Sequence, residues 1–409
     1  MKLACVTTVP CSLGFLSGQP RFLQARGFQV CCISSPGAAL EQFACREHIA
    51  AHAVKMERRI TPLRDLAALW RLYRTLRAIR PHLLHAHTPK GGLLATIAAW
   101  LARVPVRIYT IHGLPMMTAR GWKRLLLRWT ERISCWCATQ VLAVSDSIGE
   151  VAVAERLCRR DKLSVLLRGS INGVDAAGRL DPQKWGPPCR RAVCQRHGIP
   201  EDALVAGFVG RIVRDKGIWE LAQAWQTLRA GFPTLHLLLV GCFEPQDPVP
   251  SDAEVLLRND PRVHLAGEVE VADMPPYYAA MDVCVLPSYR EGLPTVPLEA
   301  AAMCVPVVAT RIPGCVDAVA DGETGTLVGV HDAAALAAAV ARYLADPHLR
   351  RRHGEAGRQR VLRDFRPEAI WEATYRQYIH SLRERGLPVP QPTEVDGTPA
   401  QHVRKRRVA

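Results

Sequence analysis

The sequence lacks any run of apolar residues long enough to cross a membrane. Its longest apolar stretches, such as residues 91–106, are interrupted by Arg103 and fall short of the roughly 20 residues that a transmembrane helix requires. After Lys2, the apolar segment 3–9 is too short for the core of a secretory signal and is more typical of a first strand. We therefore expect neither an integral membrane protein nor a secreted one.

The 14 cysteines lack the paired C-x-x-C spacing of structural zinc sites. They are scattered, and several lie in apolar segments, where a free thiol behaves as a small buried hydrophobic group. His85 and His87 are spaced like metal ligands, but no third ligand has an evident spacing. This pattern predicts a reducing compartment, the cytoplasm, and no metal site.

Acidic residues are scarce in one half of the chain. Residues 1–180 contain 26 lysines and arginines against 10 aspartates and glutamates, whereas residues 181–409 contain 27 against 28. The first half therefore carries the whole positive surplus of the protein. Such a one-sided charge indicates an anionic partner: a nucleic acid, an acidic membrane leaflet or a phosphorylated lipid.

Short apolar runs alternate with helical patterns along both halves of the chain. Strands separated by helices are typical of βαβ units and parallel sheets. The clearest helix is predicted at residues 62–79, where apolar residues recur every three or four positions. With 409 residues and a 48% apolar composition, the chain is long enough for two domains.

A proline-rich segment at residues 181–188 separates the two βα series. We place the hinge between Asn172 and Pro188 and predict an α/β protein of two Rossmann-like, doubly wound domains that face a central cleft. We predict an amino-terminal domain at residues 1–180 and a carboxyl-terminal domain at residues 181–366. A closing helix at residues 367–386 and a flexible basic tail at residues 387–409 follow.

Glu291 and Glu299 follow a strand-like segment, one in a Gly/Pro turn and the other in an Ala-rich helix. The turn lies at the carboxyl edge of the predicted sheet, where open α/β folds bind ligands. Carboxylates accept hydrogen bonds from sugar and ribose hydroxyls, and amides at a helix start favour phosphate. The amides concerned are those of Gly292, Leu293, Pro294 and Thr295. The alternative is that Glu299 is a solvated helical residue and Glu291 complements the helix dipole.

A second loop, at the end of the second domain's first strand, contains Gly210, Arg211 and Lys216. Gly210 permits close approach of the backbone, and the two cations can reach one diphosphate from a single loop. They would offset the charge that grows on a departing nucleoside diphosphate without a divalent metal. Alternatively, both are ordinary surface cations.

His112 ends an apolar strand of the first domain. At the carboxyl edge of that strand it would face the cleft, where it can hydrogen-bond a hydroxyl or help to neutralise a reacting centre. The alternative is a structural histidine whose hydrogen bonds are satisfied inside the domain.

These loops together resemble the donor site of family 4 glycosyltransferases of the GT-B fold, and the resemblance extends from Met1 to about Arg385. The segment with Thr88 and Lys90 is similar to that of bacterial members that build surface polysaccharides, where it borders the acceptor cleft. One departure is that many members have a Gly-Gly pair after the first strand, whereas only Gly14 is available here.

The resemblance implies a role for each of these residues. Glu299 would hold the ribose hydroxyls, Glu291 a hydroxyl of the donor sugar, and Arg211 and Lys216 the diphosphate. His112 would stand near the transferred sugar, and His112 and Glu291 are the candidate catalytic residues. The first domain would bind the acceptor, with Gly14, Thr88 and Lys90 as candidates. Transfer would retain anomeric configuration and need no cofactor or metal.

The basic, aromatic segment 122–133 is typical of a helix that lies on an anionic bilayer, unless it is simply packed on the core. We expect a UDP-sugar donor and a polyprenyl-diphosphate-linked sugar acceptor at the inner face of the cytoplasmic membrane, in capsule, O-antigen or exopolysaccharide synthesis. One alternative is a GT-B nucleotide-sugar epimerase that acts without an acceptor. A nucleic-acid-binding protein, suggested only by the charge, is a further alternative that we do not expect.

Overall fold

The structure, a computed structural model, describes residues 1–169, 172–245 and 247–391. Within these ranges the chain forms two entirely parallel sheets, one of seven strands and one of six. Most strands are rich in Val, Leu, Ile and Ala and are buried, as expected for parallel sheets covered by helices on both faces. The edge strands Ala50–Ala53, Leu163–Val165 and Val263–Gly267 are partly exposed. The prediction of two Rossmann-like, doubly wound domains is confirmed.

The first sheet has the strand order β3-β2-β1-β4-β5-β6-β7. Its strands are β1 (Lys2–Val6), β2 (Gln29–Ser34), β3 (Ala50–Ala53), β4 (Leu83–Ala86), β5 (Val106–Ile111), β6 (Gln140–Ala143) and β7 (Leu163–Val165). The connecting helices are α1 (Gln19–Gln24), α2 (Ala38–Glu47), α3 (Pro62–Ile79), α4 (Pro89–Leu101), α5 (Gly121–Cys137) and α6 (Asp146–Ala154). The order reverses between β1 and β4, which is where open α/β sheets bind their ligands.

The second sheet repeats this arrangement in the order β10-β9-β8-β11-β12-β13. Its strands are β8 (Leu204–Val209), β9 (Leu235–Val240), β10 (Val263–Gly267), β11 (Val283–Leu286), β12 (Val307–Thr310) and β13 (Gly325–Val328). Its helices are α7 (Pro187–His197), α8 (Ile218–Gly231), α9 (Ser251–Asn259), α10 (Met274–Ala280), α11 (Thr295–Ala302), α12 (Cys315–Ala318), α13 (Ala333–Ala345) and α14 (Pro347–Asp364). Its order reverses between β8 and β11.

The chain crosses between the domains twice. Val174, Ala176 and Leu180 already pack in the second core, although the predicted limit of the first domain was residue 180. The last helix, α15 (Pro367–Arg383), returns to the first domain and buries Tyr378 and Leu382 in its core. The packing therefore favours a boundary nearer to Asn172 than to residue 180.

The predicted basic tail begins at residue 387, but Leu387 packs against the first core. The rest of that tail, from residue 392, lies outside the described residues, as does Ile171 in the predicted hinge. Among the described residues, no helix is long and apolar enough to span a membrane, and no group of three or more potential metal ligands comes together.

Helix α3 begins at Pro62 and ends at Ile79, as predicted, but its apolar residues do not all face the core. Leu72 and Leu76 are buried, whereas Leu63, Leu66 and Trp70 are exposed. The apolar pattern predicted the helix correctly, yet it did not distinguish residues that pack on the sheet from residues on an outer surface.

Candidate functional site

A cleft of about 970 Å³ separates the two domains at the carboxyl edges of both sheets. Of the residues predicted for the site, its walls include His112, Thr88 and Lys90 from the first domain and Gly210 and Arg211 from the second. Lys216, Glu291 and Glu299 are not among the residues that line this cleft, and their side chains are only 12–21% exposed. Their roles therefore depend on how they are connected to the cleft.

Lys216 and Glu291 form an ion pair, with 2.5 Å between Lys216 Nζ and Glu291 Oε1. The loops after β8 and β11 can meet because Gly217 has a φ of +68°, and a Cβ atom there would lie 2.0 Å from the carbonyl oxygen of Pro287. The predicted diphosphate cation and the predicted hydroxyl acceptor thus neutralise each other at the point where the second sheet reverses. A bound phosphate would compete with Glu291 for Lys216.

Glu299 lies on α11 and is fixed by two hydrogen bonds. Arg179 Nη2 donates to Oε1 at 3.1 Å, and the Tyr278 hydroxyl donates to Oε2 at 2.7 Å. Burial, together with the nearby Glu299 carboxylate, raises the pKa of Tyr278 well above its ordinary value, so the hydroxyl stays a donor. Glu299 is therefore an oriented acceptor rather than a freely solvated helical residue.

Arg211 lies on the cleft wall and pairs with Glu244, with 2.8 Å between Nη1 and Oε2. Half of its side chain is exposed. Arg290, which the sequence did not single out, also lines the cleft and pairs with Asp215, with 2.7 Å between Nη2 and Oδ2. The second-domain wall thus contains arginines whose present partners are carboxylates.

The loop after Glu291 contacts the first domain. A Cβ atom on Gly292 would lie 1.8 Å from the carbonyl oxygen of His112, so only glycine allows this approach. The Ser145 hydroxyl donates to the carbonyl oxygen of Gly292 at 2.8 Å, and Arg290 Nε donates to the Thr118 hydroxyl at 3.2 Å. This loop therefore joins the domains at one side of the cleft.

The predicted phosphate-binding amides need one correction. Gly292, Leu293 and Pro294 form the loop, and α11 begins at Thr295. Proline has no backbone N–H, so Pro294 cannot donate a hydrogen bond. The candidate donors are reduced to the amides of Gly292, Leu293 and Thr295.

His112 reaches the first-domain wall directly after β5, and its ring stacks on Phe15 with 5.6 Å between centroids. Its Nε2 lies 3.2 Å from Nδ1 of His87. Burial lowers the pKa of His112 to about 4, so the ring is neutral at pH 7. Of the two roles predicted for it, the structure favours hydrogen bonding to a hydroxyl over neutralisation of charge.

The predicted acceptor residues have different environments. Thr88 has a φ of +67°, which is strained for a β-branched residue, and its hydroxyl lies 2.7 Å from that of Thr8. Lys90 pairs with Asp65, with 2.6 Å between Nζ and Oδ1. Arg58 lines the same wall and, in the part of the chain that the structure describes, has no ion pair.

Gly14 does not reach the cleft. It lies in a 3-10 helix, Pro10–Leu16, and is exposed, with open space where a Cβ atom would stand. The wall is formed instead by its neighbours Ser12 and Phe15. The prediction of Gly14 as a contact residue is therefore not supported by its position.

Helix α5 has two different faces. Leu126, Leu127 and Thr130 line the cleft, whereas the adjacent side of the helix exposes apolar and aromatic residues. Together with exposed residues of the adjacent α3 and α4, these form what we call the tryptophan face: Leu63, Leu66, Trp70, Trp100, Leu101, Trp122, Leu125, Trp129, Ile133 and Trp136. The rings of Trp100 and Trp136 lie 5.5 Å apart, so the face is continuous from α4 to α5.

Several residues of the site were missed from the sequence. Arg179 and Tyr278, which orient Glu299, are not part of any motif recognised in the sequence. Arg179 does lie shortly after the Asn-Gly-Val-Asp segment at residues 172–175. Arg290 directly precedes Glu291 and could have been considered with it.

Comparisons with known proteins agree with this geometry. Residues 21–169 match the family model of the glycosyl transferase 4-like domain, and residues 203–346 match that of the glycosyl transferases group 1. The capsular polysaccharide biosynthesis glycosyltransferase CapM of Staphylococcus aureus is 34% identical over 94% of this chain and 98% of its own length. The UDP-Gal:alpha-D-GlcNAc-diphosphoundecaprenol alpha-1,3-galactosyltransferase of Escherichia coli is 28% identical over 67% of this chain and 69% of its own.

Among solved structures, Anabaena HepE in complex with UDP-glucose superposes with a TM-score of 0.75 at 19% identity, over 94% of this chain and all of that chain. At this level of identity the likeness shows the fold alone. The family models and the similarity to CapM over nearly its whole length show more: the chain belongs to the family 4 (group 1) glycosyltransferases of the GT-B fold.

Proposed function

We propose that this glycosyltransferase of surface polysaccharide synthesis transfers a sugar from a UDP-sugar to a lipid-linked saccharide at an anionic membrane surface. The observation that carries the proposal is that the loops after β8 and β11 bring cations and carboxylates together: Lys216 pairs with Glu291, and the neighbouring Arg290 lines the cleft. The cations suit a diphosphate, and the carboxylates suit hydroxyl groups, from which they accept hydrogen bonds.

On the donor side, Arg211 and Lys216 bind the diphosphate, assisted by the amides of Gly292, Leu293 and Thr295. Glu299 accepts hydrogen bonds from the ribose hydroxyls, and Glu291 accepts one from the transferred sugar. Lys216 exchanges Glu291 for phosphate, which leaves the carboxylate available for that hydroxyl. Because the cations supply the neutralising charge, we propose that neither a metal nor another cofactor is required. UDP as the donor nucleotide is supported by the name of the Escherichia coli relative, which specifies UDP-Gal.

On the acceptor side, the first domain binds a polyprenyl-diphosphate-linked sugar. Thr88, Lys90 and Arg58 line the wall that would meet its phosphates and sugar. The acceptor hydroxyl attacks C1 of the donor sugar from the face that the departing diphosphate leaves. As the bond between C1 and the diphosphate oxygen breaks, that diphosphate takes the hydroxyl proton, so the anomeric configuration is retained and no protein base is needed. The name of the Escherichia coli relative, which specifies a diphosphoundecaprenol-linked acceptor, supports this choice.

The tryptophan face would place the enzyme at the inner surface of the cytoplasmic membrane. Lys123, Arg124, Arg128 and Arg132 accompany the exposed tryptophans on α5, and the half of the chain that contains them carries the whole charge surplus. Exposed tryptophans with basic neighbours are typical of helices that lie in the interface of an anionic bilayer. Because the adjacent side of α5 lines the cleft, a lipid-linked acceptor would reach the site along this helix.

The test is product formation by the full-length protein with a panel of UDP-sugars and vesicles that contain a polyprenyl-diphosphate-linked sugar, with and without EDTA. We expect transfer that depends on the lipid-linked sugar, persists in EDTA and gives a product with the anomeric configuration of the donor. Conversion of a UDP-sugar to its epimer without acceptor would favour the isomerase alternative instead. That alternative is less supported, because CapM, which is similar over nearly its whole length, is a glycosyltransferase.

A further inference from the structure

Three histidines of the first domain lie next to one another at the carboxyl ends of β4 and β5. The rings of His85 and His87 are 4.0 Å apart between centroids, and His87 Nδ1 lies 3.2 Å from His112 Nε2. The proposed function uses only His112. It leaves His87 without a role, although His87 contacts the one histidine that lines the cleft.

His87 is almost fully buried, with 1% of its surface exposed. Its Nε2 atom has no hydrogen-bond partner in the described part of the chain, so the contact with His112 is the one that its ring nitrogens make there. His85 differs, because its Nδ1 lies 2.6 Å from the Tyr378 hydroxyl and its Nε2 lies 2.7 Å from the Thr110 hydroxyl. His85 is therefore satisfied within the fold, whereas His87 is committed to His112.

The contact between His87 and His112 joins two neutral rings. Burial lowers the pKa of His112 to about 4 and the pKa of His87 well below its ordinary value, with the neighbouring histidines adding to the effect on His87. A neutral imidazole has one N–H donor and one nitrogen acceptor. In this contact one ring must therefore donate an N–H hydrogen bond and the other must accept it.

We infer that His87 is a positioning residue whose Nδ1–H donates to Nε2 of His112 and thereby fixes the tautomer of His112 that carries its proton on Nδ1. The direction follows from the buried Nε2 of His87. A proton there would be a buried N–H without a partner, which folded proteins avoid more strictly than an under-satisfied acceptor. Placing the proton of His87 on Nδ1 removes that orphan donor.

The consequence for the site is a fixed hydrogen-bond donor in the cleft wall. Nδ1 of His112 has no hydrogen bond with the described residues, and the ring that carries it lines the cleft. An N–H at this position suits an oxygen acceptor, such as a hydroxyl of the transferred sugar or a phosphate oxygen. This consequence rests on the proposed function, whereas the tautomer itself does not.

The tautomer can be measured by NMR of the full-length protein labelled with ¹⁵N in its histidine rings. In the wild type we expect the His112 signals of a protonated Nδ1 and an unprotonated Nε2. In His87→Phe the two tautomers of His112 should mix. In His87→Asn, where an amide N–H takes the place of Nδ1–H, the wild-type pattern should return.

His85→Asn is the matched control, because it changes a similarly buried histidine two residues earlier, in β4. It should leave the tautomer of His112 unchanged even if it lowers stability. A wild-type His112 protonated on Nε2, or a tautomer that His87→Phe does not alter, would overturn the inference.

Donor affinity separates this inference from the proposed function. His87→Phe should weaken UDP-sugar binding about threefold to tenfold when His112 is present, and not at all in a His112→Ala background. Equal weakening in both backgrounds would show that His87 acts only on the fold and would refute its positioning role. If His112→Ala itself leaves donor affinity unchanged, the proposed role of His112 fails, while the NMR result still decides the tautomer.

Discussion

The two domains use the same strand order but place opposite chemistry where that order reverses. Between β1 and β4 of the first domain, the loops meet through the hydroxyls of Thr8 and Thr88. Between β8 and β11 of the second, they meet through the ion pair of Lys216 and Glu291. Since the backbone arrangement is shared, the difference in function lies in the side chains of the loops.

The contrast extends along each wall of the cleft. The second domain has an almost balanced charge overall, and the cations of its wall are held by carboxylates that a phosphate can replace. The first domain has a large positive surplus, yet at the cleft it presents a neutral histidine, a strained threonine, a lysine already paired with Asp65, and Arg58. Of the lysines and arginines in residues 1–180, Arg58 and Lys90 line the cleft, so most of the excess charge lies elsewhere in the domain. We infer that the second-domain wall binds an anion and that the first-domain wall positions the acceptor. The lipid of that acceptor would be held in the membrane at the tryptophan face.

Removal of the second-domain cations should break this contrast most severely. Lys216→Ala and Arg211→Ala are each expected to lower kcat about 100-fold, because each removes a positive charge from the position where the departing diphosphate becomes more negative. The measurement is turnover with saturating UDP-sugar and acceptor.

Arg191→Ala is the matched control for these variants. Arg191 is exposed on α7 of the same domain and, among the described residues, forms no ion pair, so its removal should leave turnover unchanged. Wild-type rates in both Lys216→Ala and Arg211→Ala would show that the diphosphate is bound elsewhere.

Glu299→Ala should weaken UDP-sugar binding by about tenfold to 100-fold while leaving the fold intact. The reason is that hydrogen bonds to a charged group contribute about 1.5–3 kcal/mol, and each 1.4 kcal/mol is a factor of ten. Isothermal titration with UDP-sugar measures the loss, and circular dichroism checks the fold. Unchanged affinity and turnover would remove Glu299 from the site.

The strand and helix order of both domains could be predicted from the sequence, because apolar periodicity is a local property. The loops that carry the site followed from that order, since parallel strands end at one edge. The ion pairs of the site could not be predicted, because their members are distant in sequence. Arg179 and Glu299 are 120 residues apart, and Lys216 and Glu291 are 75 residues apart. Gly14 illustrates the same limit, because the local turn decides which residues of this segment line the cleft, and Ser12 and Phe15 do so here.

A buried carboxyl of the first domain should have a smaller effect, on stability rather than on catalysis. Glu131 on α5 accepts a hydrogen bond from the Tyr109 hydroxyl at 2.8 Å, and burial raises the pKa of Glu131 from 4.5 to about 7. Its folded-state pKa lies above the unfolded value, so its contribution to stability is full below about pH 4.5 and is lost as the pH rises through about 7.

Glu131→Gln should therefore stabilise the protein relative to the wild type at pH 8, by about 1–3 kcal/mol, and have little effect at pH 4.5. Thermal unfolding at both values measures the difference. Glu254→Gln, at an exposed ion pair of the second domain, should show no such gain at pH 8. Equal effects of Glu131→Gln at both pH values would mean that folding does not shift the pKa of this carboxyl.

The smallest expected effect concerns the outer surface of the first domain. Lys123 is exposed on α5 beside Trp122 and, in the ranges that the structure describes, forms no ion pair. Lys123→Ala should weaken binding to vesicles rich in anionic lipid about fivefold, because one lysine near such a surface contributes about 1 kcal/mol. Arg342→Ala removes the same charge from an exposed position on α13 of the second domain and should leave vesicle binding unchanged.

Sedimentation with anionic and neutral vesicles, at low and high salt, separates these cases. If both variants lose affinity equally, only the net charge of the chain matters, and the tryptophan face is not what meets the membrane. If Lys123→Ala alone loses affinity, and high salt abolishes the difference, the charge surplus of the first domain acts at the face beside the acceptor wall.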